Sequence, residues 1–298
     1  MDKVLLIRYG EIYLKGRNRG FFEKCLLDNI KRIIGDIPCS ISRAQCRYLI
    51  EDFNADLLDT IINRLKMVIG IHSISVAYKT ITDMVKIAEI CQNIAPQSGT
   101  FRITVNRADK RLEQNSQQIA RFLGSEVLSA KPNLKVDLFN AEKEIFVDIR
   151  ECNVTYIYFD RIMCLAGMPV GSSGKGLALL SGGIDSPVAC FRMAKRGMNI
   201  LAIHFHSFPY TSLMAREKTL DLARKLSKYC GSIKMFIVPF TEIQQAIHKQ
   251  CPAEFMITIM RRIMMRISER FAILNDCGSL ITGESLAQVA SQTQESIL

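Results

Sequence analysis

No apolar run in this sequence comes near the roughly 20 residues that cross a bilayer. The strand-like runs at 4–7, 177–180 and 235–239 are a fraction of that length, so no membrane partner is expected. The N-terminus enters a strand-like segment at once, without a basic stretch, an apolar core or a cleavage site, and no signal peptide is expected. Among the 10 cysteines there is no C-x-x-C pair, which argues against a zinc site or a dithiol redox couple. Scattered cysteines without an export signal read as reduced, mostly buried small hydrophobes, and a cytoplasmic location follows. No low-complexity or charged block runs through the chain, so disorder is excluded. A Walker loop is missing too: Gly174-Lys175 would need a glycine at 169, where Pro169 stands.

What is present is a chain of 298 residues, 48% hydrophobic and 23% charged, with a net charge of +10. Its length implies about two domains with sizeable cores. Residues 1–50 hold ten Lys and Arg against five Asp and Glu. A basic balance of this kind favours a polyanionic partner, nucleic acid being the commonest. Lys15, Arg17 and Arg19 form one basic loop, YLKGRNRG. Arg102, Arg107, Lys110 and Arg111 form a second cluster at a strand exit. Both suit an RNA backbone.

Hydrophobic periodicity orders the chain. Strand (4–8), helix (21–34), two short strands (37–41 and 47–50), helix (57–68) and strand (71–77) give the β-α-β-β-α-β order of a ferredoxin-like domain. A second α+β unit follows, with helices at 84–94 and 116–128 and strands at 100–105, 135–139, 144–149 and 154–159. The segment 166–176, with four glycines, reads as a linker. Beyond it, short apolar strands (177–180, 200–205, 234–238, 279–282) alternate with helices (187–196, 213–229, 241–249, 253–274). That pattern implies a parallel sheet covered on both faces.

The chemistry concentrates at the first strand-to-helix switch of this last region: Ser181-Gly182-Gly183-Ile184-Asp185-Ser186-Pro187. Two glycines let an oxyanion approach backbone N–H groups closely. Pro187 suits the first helical position, with Ser186 or Asp185 as cap, aiming a helix N-terminus at the ligand. Ser181 and Ser186 add hydroxyl donors. Asp185, useless for binding an anion directly, suggests Mg²⁺ held between carboxylate and phosphates. His204 and His206 lack a third ligand and make a poor metal site. Met256, Ile259, Met260, Ile263, Met264 and Ile267 follow helical spacing and read as core.

SGGIDSPVA resembles the pyrophosphate loop of ATP pyrophosphatases that adenylate a carbonyl or amide oxygen. The wider set, PVGSSGKGLALLSGGIDSPVA, HFHSFPYTS, MRRIMMRISERFA and TGESLAQVASQT, is similar to the tRNA 4-thiouridine synthetase family, the tRNA sulfurtransferases of thiamine biosynthesis. FRITVNRADK and VDIRECNVTYIY resemble its THUMP segments. The resemblance implies α+β and α/β architecture in three parts. These are a ferredoxin-like domain (1–78), an RNA-binding THUMP domain (79–165, a profile starting near 54) and a PP-loop ATP pyrophosphatase domain (166–298) of the adenine nucleotide α-hydrolase type.

It further implies that Leu179, Leu180, His204, Phe205, Arg261, Gly283 and Gln292 contact ATP alongside the loop residues, and that Asp185 is catalytic. The implied reaction adenylates uridine 8 of tRNA, and a persulfide charged by a cysteine desulfurase then supplies sulfur. The same family sulfurates the sulfur carrier protein of the thiazole pathway. A doubly wound sheet is expected to continue past Leu298, and the resemblance implies that the sulfur-carrying cysteine lies in that stretch, making this a truncated, incomplete pyrophosphatase domain. None of the 10 cysteines matches it. Cys251 and Cys277 read as structural, with Cys277, just ahead of the fourth strand, the first suspect for a carrier. The alternative is a non-catalytic fragment that binds tRNA and nucleotide but lacks that cysteine.

Overall fold

The computed structural model describes residues 3–44, 46–108 and 112–284; Lys110, Arg111 and Gln292 lie outside them. In chain order the elements are β1 (Lys3–Tyr9), α1 (Arg19–Ile34), β2 (Ser40–Ala44), β3 (Arg47–Glu51), α2 (Leu58–Leu65), β4 (Ile71–Ile81), α3 (Met84–Ile94), β5 (Gly99–Arg107) and α4 (Ser116–Ala130). Then follow β6 (Leu134–Val136), β7 (Lys143–Arg150), β8 (Val154–Tyr158), β9 (Ile162–Met163), β10 (Lys175–Leu179), α5 (Asp185–Lys195) and β11 (Asn199–His206). The last are α6 (Leu213–Cys230), β12 (Met235–Pro239), α7 (Thr241–Gln250), α8 (Met256–Leu274) and β13 (Ser279–Ile281). Two compact units result: residues 1–9, 36–62 and 72–163, and residues 10–35, 63–71 and 164 onward.

The first unit is built on a nine-stranded sheet in the order β2-β3-β1-β4-β8-β7-β5-β6, with β9 paired to β4. Its first half has the 2-3-1-4 order of the ferredoxin-like arrangement expected from the sequence. Leu5, Leu6 and Ile7 of β1 are fully buried, as a strand of continuous apolar residues must be. In the second half α3 and α4 lay Ile87, Cys91, Ile119, Leu123 and Val127 over Phe101, Ile145, Val147 and Ile149. Both helices start where local chemistry dictates. The Asp83 carboxylate accepts from the amides of Val85 and Lys86, and Asn115 and Gln118 close a capping box.

The opposite face of this sheet carries buried charge. Asp148, 2% exposed, accepts from Arg47 at 2.6 Å, from Arg150 at 2.8 Å and from Asn106 at 3.2 Å. The register puts Asn106 directly opposite Asp148. Nearby, the Arg8 guanidinium lies 4.7 Å over the Tyr158 ring and donates to Ser75 Oγ. Burial pushes the Arg8 pKa down, and Arg47 and Arg161 push the same way.

Several boundaries moved for local reasons. β2 starts at Ser40 rather than 37, because Pro38 has no N–H for the ladder. β6 stops at Val136, where the Asp137 side chain takes the amides of Phe139 and Asn140 and turns the chain. The YLKGRNRG stretch is a kinked 3₁₀ segment over Glu11–Asn18, not an open loop.

The second unit holds a four-stranded, wholly parallel sheet ordered β12-β11-β10-β13. Ala178 and Leu180 face α5 and α6 through Cys190, Ala194, Ala223 and Leu226. Leu177 faces the other way, with Leu201, Ile203 and Ala272 of α8. Two-sided cover explains why the strands read as unbroken apolar runs. The glycine-rich segment expected as a linker is tied down: Gly171 N and Ser173 N donate to Gly197 O, Ala166 N to Ile71 O, and Asn29 to Val170 O. The Met256–Ile267 stripe is only partly buried; the fully buried positions of α8 are Ser268 and Ala272. Core packing by α8 comes from its C-terminal turns, with Ile267 and Phe271 joining that cluster.

Candidate functional site

From β10 the chain steps outward to β11 and β12, then crosses back to place β13 on the other side of β10. Beyond the carboxyl ends of β10 and β13 lies the switch point at which open α/β sheets bind ligands. The loop after β10 supplies one wall. Leu180 N donates to Ile203 O, and the Leu180 carbonyl accepts from His204 Nδ1 at 2.9 Å. Both main-chain groups of Leu180 are therefore engaged, and its side chain is buried in the core. It fixes the loop's origin.

Ser186 does likewise for the loop's end. Its Oγ accepts from Ser181 N at 3.0 Å and lies 3.1 Å from Ser181 Oγ, which in turn accepts from Gly183 N at 3.3 Å. The expectation that Ser186 or Asp185 caps a helix starting at Pro187 is corrected here. α5 begins at Asp185, Ile184 precedes it without a side-chain cap, and Pro187 is its third residue. Pro187 still stands in the first turn, where its missing N–H leaves no helical bond unmade.

The two loop glycines are informative through what surrounds them. A Cβ on Gly183 would meet only Ser181 Oγ at 3.5 Å, and one on Gly182 only Thr219 Oγ1 at 3.7 Å and Lys218 Cδ at 3.8 Å. Neither residue takes a left-handed φ. Neither a left-handed φ nor crowding explains glycine at either position, whereas close approach of an anion to the backbone there does.

Gly283, just past β13, is the opposite case. A Cβ there would lie 2.4 Å from Ser186 N and 2.7 Å from the Asp185 carbonyl carbon, so the fourth strand seats its exit directly on the start of α5. Gly283→Ala is expected to cost roughly 1–3 kcal/mol through overpacking against backbone that cannot rotate away. A denaturant midpoint equal to that of the unaltered protein would refute this packing.

His204 is half-buried at the end of β11. Burial lowers its pKa below the usual histidine value, and His206 and Arg216 add to the effect, so the ring is neutral at neutral pH. Because the Leu180 carbonyl can only accept, Nδ1 carries the proton and Nε2 is left as an acceptor. The His204 and His206 rings are 6.4 Å apart, and no cluster of three or more metal-ligating side chains exists among the described residues. Leu179 and Phe205 are partly buried in one apolar cluster, with Phe205 edge-on to Phe240 at 5.4 Å. Arg261 ion-pairs with Glu284, next to Gly283, and so reaches the same crevice from α8.

Sequence reading missed one wall. Thr219 and Lys218 of α6 stand beside Gly182, and Arg216 is close enough to act on His204. No local pattern marks them, since they sit a helix, a strand and a loop downstream of the motif.

Of the basic residues, Lys15 lies 5.1 Å over the Phe22 ring and Arg19 5.0 Å over Tyr13, so aromatics do flank this basic stretch. Arg102 is paired with Glu144 at 2.6 Å, and Arg107 donates to the carbonyls of Leu112 and Gln114. Cys277 precedes β13, whose Ser279 aligns with Gly176 at the start of β10. It therefore stands at the sheet end opposite the loop, and burial raises its thiol pKa. That argues against the first suspect for a sulfur carrier. No helix among the described residues is long and apolar enough to cross a membrane.

Known proteins share this arrangement. Residues 171–298 match the family described as thiamine biosynthesis protein (ThiI), residues 4–75 the ThiI ferredoxin-like domain and residues 79–160 the THUMP domain. A probable tRNA sulfurtransferase of Brevibacillus brevis is 46% identical over 99% of this chain and 74% of its own length. One from Acetivibrio thermocellus is 44% identical over 100% of this chain and 78% of its own. The crystal structure of a 4-thiouridine synthetase–RNA complex with bound ATP matches with a TM-score of 0.88 at 34% identity, over 100% of this chain and 77% of that one. A solved protein of Pyrococcus horikoshii matches with a TM-score of 0.68 at 28% identity, over 84% of this chain and 82% of that one. With the glycine-rich loop at the switch point of its parallel sheet and all three domain types in series, the chain belongs to the ThiI family of tRNA sulfurtransferases.

Proposed function

We propose that this chain is an ATP-dependent tRNA sulfurtransferase that makes 4-thiouridine at position 8 of tRNA in the cytoplasm. The observation that carries the reading is the 181–186 loop. Its two glycines have no conformational or packing need to be glycine, and it ends in a helix start without a side-chain cap. Support for the nucleotide and the RNA comes from the relative solved with RNA and bound ATP, which the chain matches over its whole length.

In this reading the amides of Gly182 and Gly183 and the N-terminus of α5 hold phosphate oxygens. His204 presents Nε2 to an adenine amino group, and Leu179 and Phe205 offer apolar surface to the base. Asp185 is the carboxylate that would hold Mg²⁺, whose few protein ligands are completed by waters and substrate phosphates; the ion supplies positive charge against the phosphates. The uridine C4 oxygen attacks the α-phosphorus, the bond to the bridging oxygen breaks and pyrophosphate leaves. The terminal sulfur of a persulfide charged by a cysteine desulfurase then attacks C4 and displaces AMP, and a second thiol breaks the remaining S–S bond, releasing the thiolated uridine and leaving a disulfide. The family description as a thiamine biosynthesis protein supports a second acceptor, the sulfur carrier protein of the thiazole pathway.

Release of pyrophosphate from ATP is expected to be stimulated by tRNA; no stimulation overturns the reading. Exchanging both Lys15 and Arg17 for Glu is expected to weaken tRNA binding about tenfold or more and to lower the salt slope by about two. A tRNA affinity unchanged by the double substitution removes these residues from the RNA surface.

One observation favours the second reading, binding of tRNA and nucleotide without a sulfur-carrying cysteine. Burial raises the thiol pKa of Cys190 to about 11 and also that of Cys277 at the far end of the sheet. A thiol held protonated is a poor sulfur acceptor, which leaves the exposed Cys46 and Cys152 as the thiols most open to a donor. Formation of 4-thiouridine by this chain with ATP, desulfurase and cysteine separates the two.

A further inference from the structure

The stretch 181–187 carries a single charge, the negative one of Asp185, although a nucleoside triphosphate brings several negative charges to it. Positive charge reaches the loop from elsewhere. The Lys218 stem passes 3.8 Å from where a Gly182 Cβ would stand, and its ammonium lies two bonds further on. Thr219 beside it is fully buried and donates to Ala215 O at 3.0 Å, which fixes this turn of α6 against the loop. Arg216, one turn nearer the helix start, has a buried Nε without a hydrogen-bond partner. Its charge is felt by His204, whose Nδ1 holds the Leu180 carbonyl at the loop's origin.

Among the described residues neither Arg216 nor Lys218 has an acidic partner, whereas Arg224 further along the same helix is paired with Asp221 at 2.5 Å. A buried guanidinium nitrogen without an acceptor is expensive. Two unpaired cations flanking bare backbone amides make a site for a polyanion.

We infer that Arg216 and Lys218 are direct ligands of the phosphate chain of the nucleotide held by the 181–186 loop. They form a cationic arm contributed by α6 that selects a triphosphate over an uncharged nucleoside. This rests on the nucleotide reading of the loop. In that setting the arm also opposes the charge that accumulates on the leaving pyrophosphate.

The test measures ATP and adenosine affinities by calorimetry on the full chain, with inorganic pyrophosphate as competitor. Lys218→Met and Arg216→Met are each expected to weaken ATP binding about tenfold, the value of one charge-assisted contact. Pyrophosphate competition should weaken in parallel, while adenosine affinity stays unchanged and the melting temperature does not fall. Lys218→Arg should restore most of the loss, and Lys228→Met, at the far end of α6, should change nothing. ATP affinities within twofold of the unaltered chain overturn the inference, as does an equal fall in ATP and adenosine affinity, which marks a structural role. An unaltered chain that binds neither ATP nor pyrophosphate overturns the nucleotide reading itself.

Discussion

Gly183→Val is expected to abolish nucleotide binding while leaving the protein folded. The fold has room for the new side chain: the nearest atom to a Cβ at this position is Ser181 Oγ at 3.5 Å, and the backbone is not left-handed. What the isopropyl group fills is the space in front of the amides, so a phosphate cannot come within hydrogen-bonding distance of them. Losing two charge-assisted hydrogen bonds, at about 1.5–3 kcal/mol each, weakens binding by on the order of 10²- to 10⁴-fold. Calorimetric titration with Mg-ATP reads the loss, and a thermal melt verifies the fold. Asp185→Ala is expected to act differently, leaving affinity for ATP alone largely intact but weakening the Mg-ATP complex and pyrophosphate release. Normal ATP binding by the valine variant would show that the loop is not the phosphate site.

The second large effect concerns the first unit and has nothing to do with nucleotide. Asp148→Ala removes the single acid against which Arg47 and Arg150 are held, at 2.6 and 2.8 Å. The Arg47 side chain is only 9% exposed, so its charge is stranded in a poorly solvated place. Breaking a buried pair from one side costs about 3–5 kcal/mol, far more than the pair contributes when intact. For a unit of this size that corresponds to a fall in melting temperature on the order of 10 °C. Replacing the acid together with both cations, Asp148→Leu with Arg47→Met and Arg150→Met, is expected to recover most of the loss, because the desolvation penalty disappears with all three charges. Destabilisation below about 1 kcal/mol in the single variant, or no recovery in the triple, would mean that the ion cluster is effectively solvated.

Much of this was legible in one dimension because it is written in short-range patterns. Apolar runs at 4–7 and 177–180, the helical stripes between them, and the Gly-Gly pair between a strand and a helix involve residues within one or two turns of each other. Their conformational preferences act before any tertiary contact forms. The ferredoxin-like order of the first elements follows from the same periodicities, as does the parallel sheet of the second unit. Where local reading went astray, local physics also explains it: Pro38 delays β2, and the Asp137 turn shortens β6.

The site is another matter. That the motif lies between a strand and a helix is a property of the sequence; that it faces Gly283 is a property of the crossover that sets β13 beside β10. Gly283 enters the sequence reading only through the resemblance, as a nucleotide contact; that a Cβ there would collide with the backbone of Ser186 is visible only in the fold. That the Leu180 amide and carbonyl bond to β11 and its side chain enters the core is likewise visible only in the fold. Lys218 and Arg216 carry no mark in the sequence; only α6 lays them beside Gly182 and His204. The sequence by itself determined which segments are strands and helices and which loop offers bare amides, because those depend on side-chain period and backbone freedom over a few residues. Only the tertiary structure decided which distant charges and glycines stand around that loop, because strand order and crossover, not local preference, bring them there.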